Sequence, residues 1–300
     1  MATRRKPAAD VPVSDALVTT LLREQHPDLA DLPLTHVDAG WDNEVFRLGD
    51  HLAARLPRRQ QAAANIDVEC TWLPRLAASF TLPTPMPVRL GGPGGGYPFR
   101  WSIVRWISGN PAWTSHGPID WAAAAEDLGR FVGTMQRPAP PDAPRNPWRG
   151  VPLAARTDAF HAHAACVNAT FDIARLTALW NELADTPPWP HAPVWIHGDL
   201  HPGNLLLDGG RISGVLDFGD LSAGDPATDL SIAWFWLPRE VRPRLRAAVR
   251  DAGGANDDDT WRRARGWALA LGLAHLAHSA DAPQHEAVGR RAVASALHDG

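Results

Sequence analysis

Cysteine is scarce in this chain of 300 residues, with two at positions 70 and 166. So wide a spacing gives no disulfide framework, and a reducing cytoplasm is the expected setting. Apolar residues make up 45% of the sequence, enough for a sizeable core, yet no apolar run is long enough to span a bilayer. The polar start, residues 1–10 with Arg4, Arg5 and Lys6, is followed by no apolar stretch, so a loose tail is expected there and not an export signal. There is also no long basic run. With a net charge of -4 the chain has no electrostatic footprint for nucleic acid or an anionic membrane, and neither is expected as a partner. Tyrosine is nearly missing, one residue against fourteen tryptophans. Many of those indoles are expected in the core, while others could line a ligand cleft with flat apolar faces. No internal repeat is visible.

The chain changes texture along its length. Residues 14–24 have the spacing of an amphipathic helix capped by Ser14. From about 34 to 107, short apolar runs are broken by glycine and proline, which predicts a β-rich part. Residues 45–48 and 52–56 flank Gly49-Asp50-His51, a hairpin signal, and 65–79 predict a helix interrupted at Pro74. The glycine run 91–96 has no lysine and no following helix of a Walker loop, so it is expected to be a surface hairpin tip. After Ser108-Gly109 helices dominate. They are expected at 118–136, 153–166, 171–183, from Asp225-Pro226, and at 240–252, 258–279 and 284–297, with a proline-rich connector at 138–152. A length of 300 suits two lobes, divided as 1–107 and 108–300 with a short crossover at 105–109. A cleft between such lobes is a natural ligand site.

The most informative residues are Trp195-Ile196-His197-Gly198-Asp199-Leu200-His201-Pro202-Gly203-Asn204 and Val215-Leu216-Asp217-Phe218-Gly219. They place a base, an amide and a carboxylate in an otherwise apolar region, where burial is costly unless a ligand or metal satisfies the polar groups. Residues 205–207 and 212–216 predict two strands around the turn Asp208-Gly209-Gly210, because glycine reaches positive φ without strain. Folding that hairpin brings Asn204 beside Asp217. An amide oxygen next to a carboxylate suits Mg²⁺, which takes its remaining ligands from water and phosphates. Asp199, in the irregular loop before, is placed to accept a proton from an attacking hydroxyl. His197 and His201 are four apart, but the glycine and proline between them do not hold a helical zinc face. His161, His163, His275 and His278 are expected to be packing or surface residues.

His197-Gly198-Asp199-Leu200-His201-Pro202-Gly203-Asn204 and Asp217-Phe218-Gly219 resemble the catalytic and metal loops of the aminoglycoside phosphotransferase family, which includes macrolide and other small-molecule kinases. The resemblance implies an α+β, bilobal protein-kinase-like fold, with a β-rich N-terminal lobe and a mainly helical C-terminal lobe. It implies Asp199 as the group that orients or deprotonates the acceptor, and Asn204 and Asp217 as magnesium holders. It implies that Asp229, after Asp225-Pro226, steadies the catalytic loop, although a helix-start role suits it nearly as well. The loop 38–45 sits where a kinase covers the phosphates, with Gly40 allowing close backbone approach and Asn43 able to donate. The strand cation that a kinase supplies as lysine is Arg55 here, a departure, because arginine is bulkier and forks its charge. Its partner acid is expected at Glu69, with Asp67 as competitor. Residues 103–107, including Val104 and Trp106, are expected to form the hinge that meets the purine through backbone hydrogen bonds, a contact that does not separate ATP from GTP.

Few residues separate Phe218-Gly219 from Asp225, too few for the long activation segment on which a protein substrate lies. A small-molecule hydroxyl is therefore the expected acceptor, and the resemblance points to an aminoglycoside or macrolide antibiotic. Acidic residues in the helical lobe would suit a cationic acceptor, whereas Trp234 and Trp236 would suit an apolar lactone, core packing being the stronger reading of those two. Asp220 could face the substrate. A metabolic kinase for a choline-like or amino-alcohol substrate, and a nucleotide-binding pseudokinase, are the rival readings.

Overall fold

The computed structural model describes residues 8–115, 117–167, 170–278 and 281–299. Most of the expected N-terminal tail and the expected helix end at Ser279 lie outside them. Helix α1 (Asp15–Gln25) starts at Ser14, whose side chain accepts from Leu17 N, and buries Val18, Leu21 and Leu22. An antiparallel sheet follows from β1 (Leu34–Ala39), β2 (Asn43–Leu48) and β3 (Leu52–Pro57). Helix α2 (Gln60–Leu76) then leads to β4 (Pro87–Gly91) and β5 (Trp101–Arg105), giving the strand order β1-β2-β3-β5-β4. Phe46, Leu56, Tyr97 and Trp101 fill a first core with the buried face of α1.

Helix α2 begins five residues earlier than the sequence suggests, and Pro74 does not interrupt it. Pro74 stands two residues from the helix end, so one missing N–H bond is tolerated and the helix relaxes into a 3-10 turn at Ala77–Ser79. The glycine run is the expected hairpin tip. It is pinned to α1 by Gln25, which donates to Gly92 O (3.1 Å) and accepts from Gly92 N (2.8 Å).

The helical part opens with β6 (Asn110–Pro111) and α3 (Trp121–Met135), the latter capped by Asp120, three residues later than expected. The helix expected from 153 is a 3-10 turn over Leu153–Arg156 followed by α4 (Thr157–Ala164). Next come α5 (Ile173–Ala184), β7 (Val194–Ile196), β8 (Leu205–Asp208), β9 (Arg211–Val215) and β10 (Ser222–Gly224). The helix expected from Asp225-Pro226 is two short pieces, α6 (Ala227–Leu230) and α7 (Ile232–Phe235). The chain ends with α8 (Arg242–Asp251), α9 (Asp258–Ala277) and α10 (Pro283–Leu297). Helix α9 is buried over most of its length, mostly apolar from Gly266 on, and serves as the hub on which α4, α5, α6 and α10 pack. Its one deeply buried charge, Arg263, meets Asp225 at 2.7 Å and fixes the chain just after Asp217-Phe218-Gly219. Leu73 and Leu76 of α2 belong to this second, larger core, so α2 joins the sheet to the helices. The result is the expected α+β arrangement of a β-rich N-terminal lobe and a helical C-terminal lobe.

Candidate active site

The hairpin of β8 and β9 forms as the sequence predicts. Leu205 pairs with Val215 and Asp208 with Arg211, around Gly209 (φ +54°) and Gly210 (φ +79°). Leu216 N–H then donates to Asn204 O (2.8 Å), which sets Asn204 and Asp217 at the open end of the hairpin. Asn204 is buried and its Nδ2 donates to Asp199 O (2.8 Å), so its amide oxygen lies on the other side of the group. Asp217 is the one non-glycine residue at positive φ among the described residues (+59°), a conformation that costs energy and tends to be kept where it aims a functional side chain. Phe218 is fully buried, stacked on Phe80 and tilted against His197, and anchors that turn. Among the described residues no group of three or more His, Cys, Asp or Glu could hold a metal. A dication here would take one amide and one carboxylate oxygen from the protein and lean on phosphates and water for the rest, which fits magnesium.

The loop that carries Asp199 is held by a buried acid. Asp229, 1% exposed, accepts from His197 N (2.7 Å) and Gly198 N (2.9 Å), so it steadies the loop directly. Gly198 is at φ +86°, and a Cβ there would lie 2.5 Å from Asp220 O, so only glycine fits. His197 is buried, with Nε2 on Leu216 O (2.9 Å) and Nδ1 accepting from Asp199 N (3.3 Å). Both ring nitrogens are engaged, which leaves none for a metal. His201 accepts from Gly203 N through Nδ1 (3.0 Å) and turns Nε2 toward Asp199 Oδ2 (3.6 Å). Burial would raise the Asp199 carboxyl, but the neighbouring His201, Arg149 and His275 outweigh it and hold the group well below the usual carboxylate range.

On β3, Arg55 is buried and forks. Nη1 pairs with Glu69 and Nη2 reaches Asp217 Oδ1 (3.3 Å). Asp67 turns instead to Arg100 at the surface (2.8 Å), so Glu69 is the paired acid. Burial opposes the charge on both partners; Glu69 and Asp217 more than offset it at Arg55, whereas the Glu69 carboxyl stays above its ordinary value. The structure thus brings Asp199, Asn204, Asp217, Arg55 and Glu69 into one connected set. Gly40 and Asn43 close the β1–β2 turn, Gly40 N donating to Asn43 O (2.8 Å), and the Oδ1 atom of Asn43 is buried without a partner. Arg58 and Arg59 brace that turn at Gly40 O (3.1 Å) and Trp41 O (3.2 Å). Val104 lies inside β5, between Ala53 of β3 and Pro87 of β4, and Trp106 N–H donates to His51 O (2.8 Å) where the chain leaves the sheet.

Two site residues come from the proline-rich connector and were not singled out from the sequence. Arg149 donates through Nε to Gly198 O (2.8 Å) and through Nη2 to Asp199 Oδ1 (3.4 Å). Asn146 donates to Asp220 Oδ1 (2.6 Å). Burial, countered by Arg149 and reinforced by the Asp199 and Asp217 charges, pushes the Asp220 carboxyl up to about 6. The connector is stapled in place, with Gly150 N on Thr228 Oγ1 (3.1 Å) and Gly150 O accepting from Asp225 N (2.9 Å). Arg145, Asn146 and Arg149 among the prolines of the connector are the one local hint.

Residues 33–267 match the profile described as the phosphotransferase enzyme family. Over 236 residues the chain is 28% identical to viomycin phosphotransferase of Streptomyces vinaceus, covering 72% of this chain and 77% of that protein. A shorter match, 35% identical over 83 residues, to the uncharacterized protein YcbJ of Bacillus subtilis (strain 168) covers 26% of this chain and spans only 27% of that relative. Among solved structures, the GDP and kanamycin complex of APH(2")-IIia superposes with a TM-score of 0.69 at 18% identity, covering 93% of this chain and 97% of that one. The apoenzyme of macrolide 2'-phosphotransferase MphH from Brachybacterium faecium superposes with a TM-score of 0.65 at 24% identity, covering 96% and 99%. These structural likenesses establish a shared kinase-like fold.

Proposed function

This chain belongs to the phosphotransferase enzyme family, and we propose that it moves the terminal phosphoryl group of ATP or GTP to a hydroxyl of a small-molecule antibiotic, an aminoglycoside or macrolide, in the cytoplasm. The observation that carries this reading is the Asp199 carboxylate, held ionised by His201 and Arg149 and linked through Asn204 to the turn that presents Asp217. In the proposed reaction Asp199 orients the acceptor hydroxyl and takes its proton as the oxygen bonds to the γ-phosphorus. The bond from that phosphorus to the β-γ bridging oxygen breaks, and the nucleoside diphosphate leaves. Asn204 and Asp217 would hold magnesium, which when bound neutralises charge on the phosphate oxygens. Arg55, fixed by Glu69, supplies a cation to the earlier phosphates, Gly40 and Asn43 cover them, and the stretch with Val104 and Trp106 meets the purine. The lobes are taken to divide at 107/108. The nucleotide complexes among proteins of the same fold, such as the GDP complex of APH(2")-IIia, support a purine donor.

The test is a coupled nucleoside-diphosphate release screen with ATP and GTP against aminoglycosides, macrolides and amino alcohols, run on the wild type and Asp199→Asn. Turnover of an antibiotic that falls by roughly a thousandfold in the variant, with nucleotide still bound, is expected. Near wild-type rates in the variant would remove Asp199 from the reaction, and turnover confined to an amino alcohol would replace the antibiotic acceptor by a metabolic one.

A further inference from the structure

The acceptor side of Asp199 is built of rings. His201 faces His275 with ring centres 5.1 Å apart, and His275 stacks on His285 at 5.0 Å. Trp113 lies against both His201 (5.5 Å) and His285 (5.0 Å). Trp41, at the tip of the β1–β2 turn, closes over the same group, 5.8 Å from His285. Past Trp113 and Pro202 a cavity of about 660 Å³ opens, well inside the size range of drug-sized ligand sites. Its walls include Trp113, Ile119, Trp121, Phe235, Trp236 and Val288. Trp236 is core-packed, as expected, yet forms part of this wall, while Trp234 is core-packed and donates to Asp299 (2.9 Å). The charged side chain in the lining is a cation, Arg291, fixed by its bond to Trp236 O (2.5 Å), and no carboxylate occurs among the described residues that line the cavity.

Resting on the phosphoryl-transfer reading, we propose that this cavity holds the body of the acceptor and selects a molecule with a broad apolar face and at most one positive charge. Flat indole and phenyl faces recover the apolar area of such a molecule from water. A single amine can be met by a ring face or by the carboxylates near Asp199. A polycationic sugar would have to strip several ammonium groups of water with no acid among the described lining residues to pair them and with Arg291 opposing. The sheltered Asp199 then sees one hydroxyl at the edge of the bound ring.

The assay compares kcat/KM for erythromycin, a macrolactone with one basic amine, and for kanamycin, using the intact protein with ATP and GTP. A ratio of at least tenfold in favour of the macrolactone is expected. Ile119→Asp and Ala287→Glu each add a carboxylate to the lining, the second on the exposed face of α10. Each is expected to shift the ratio tenfold or more toward kanamycin, and a ratio cancels any loss of folded enzyme. A preference of the wild type for kanamycin, or a ratio unmoved by both variants, overturns the proposal and leaves phosphoryl transfer standing. Turnover of neither compound counts against the antibiotic reading and transfers the decision on the cavity to calorimetry. Macrolactone binding that weakens at least tenfold in Ile119→Asp upholds it, and no macrolactone binding overturns it.

Discussion

Removing Arg55 strands a carboxylate in the interior. The Arg55 and Glu69 side chains are 8% and 4% exposed, and Glu69 Oε1 already has no partner. In Arg55→Ala the other oxygen loses its guanidinium, and an uncompensated buried charge costs about 3–5 kcal/mol. At about 2–4 °C per kcal/mol for a chain of this class, the melting temperature should fall by roughly 10 °C. The deficit also has a predictable pH dependence. Burial already raises the Glu69 carboxyl, with Arg55 the strongest opposing influence, so without Arg55 it rises further. A carboxyl raised in the folded state contributes stability that is complete below its unfolded value and is lost as pH climbs through the folded one. The gap between variant and wild type in urea unfolding should therefore be small near pH 5 and widen toward pH 8.

A second variant separates packing from nucleotide binding. Replacing the pair together, Arg55→Met with Glu69→Leu, removes both buried charges and should recover stability to within about 1–2 kcal/mol of wild type, with the pH dependence gone. The nucleotide KM should stay raised in the double variant, because no cation has been restored. A loss below about 1 kcal/mol in Arg55→Ala, or the same loss at pH 5 and pH 8, would refute this account of a buried, mutually dependent pair.

Asp217→Ala should raise the magnesium needed for half-maximal nucleotide binding by roughly tenfold, equivalent to about 1.4 kcal/mol; a titration of nucleotide affinity against magnesium that does not move would take Asp217 out of the metal site. Arg149→Met removes a guanidinium that helps keep Asp199 ionised, so the acidic limb of the pH–kcat profile should move to higher pH, and an unmoved limb would restrict Arg149 to bracing the loop. Asp220→Asn should flatten the dependence of stability on pH. The wild-type carboxyl, raised to about 6, contributes stability that is present below about 4 and lost as pH rises through 6. The variant's relative stability should accordingly improve, on the order of 1–3 kcal/mol, between pH 4 and pH 8 in matched urea melts.

The parts of the site that were legible in the sequence are those made by neighbours along the chain. The β8–β9 hairpin follows from turn chemistry and strand pattern, and it alone places Asn204 beside Asp217. The start of α2 is not legible, because 60–64 is a polar and alanine stretch with no capping hydrogen bond from Arg59, so no local signal marks it. Glu69 and Asp67 are separated by the structure, where one meets Arg55 of β3 and the other meets Arg100 at the surface. Arg149 was illegible for the opposite reason. Its contact to Asp199 spans 50 residues and depends on how a connector with no regular structure is stapled to Thr228 and Asp225. The ring wall of His201, His275, His285 and Trp113 draws on four separate segments, and isolated histidines and tryptophans in a sequence carry no sign that they will meet.

Arg55 shows how composition and geometry meet. Lys6 is the only lysine in the chain, so a permanently charged cation on β3 has to be an arginine. In the structure the fork of the guanidinium is used, one nitrogen on Glu69 of α2 and the other on Asp217 beyond β9. An ammonium is a single point charge and would not span the two acids in the same way. The arginine therefore ties the sheet, α2 and the segment after β9 through one side chain.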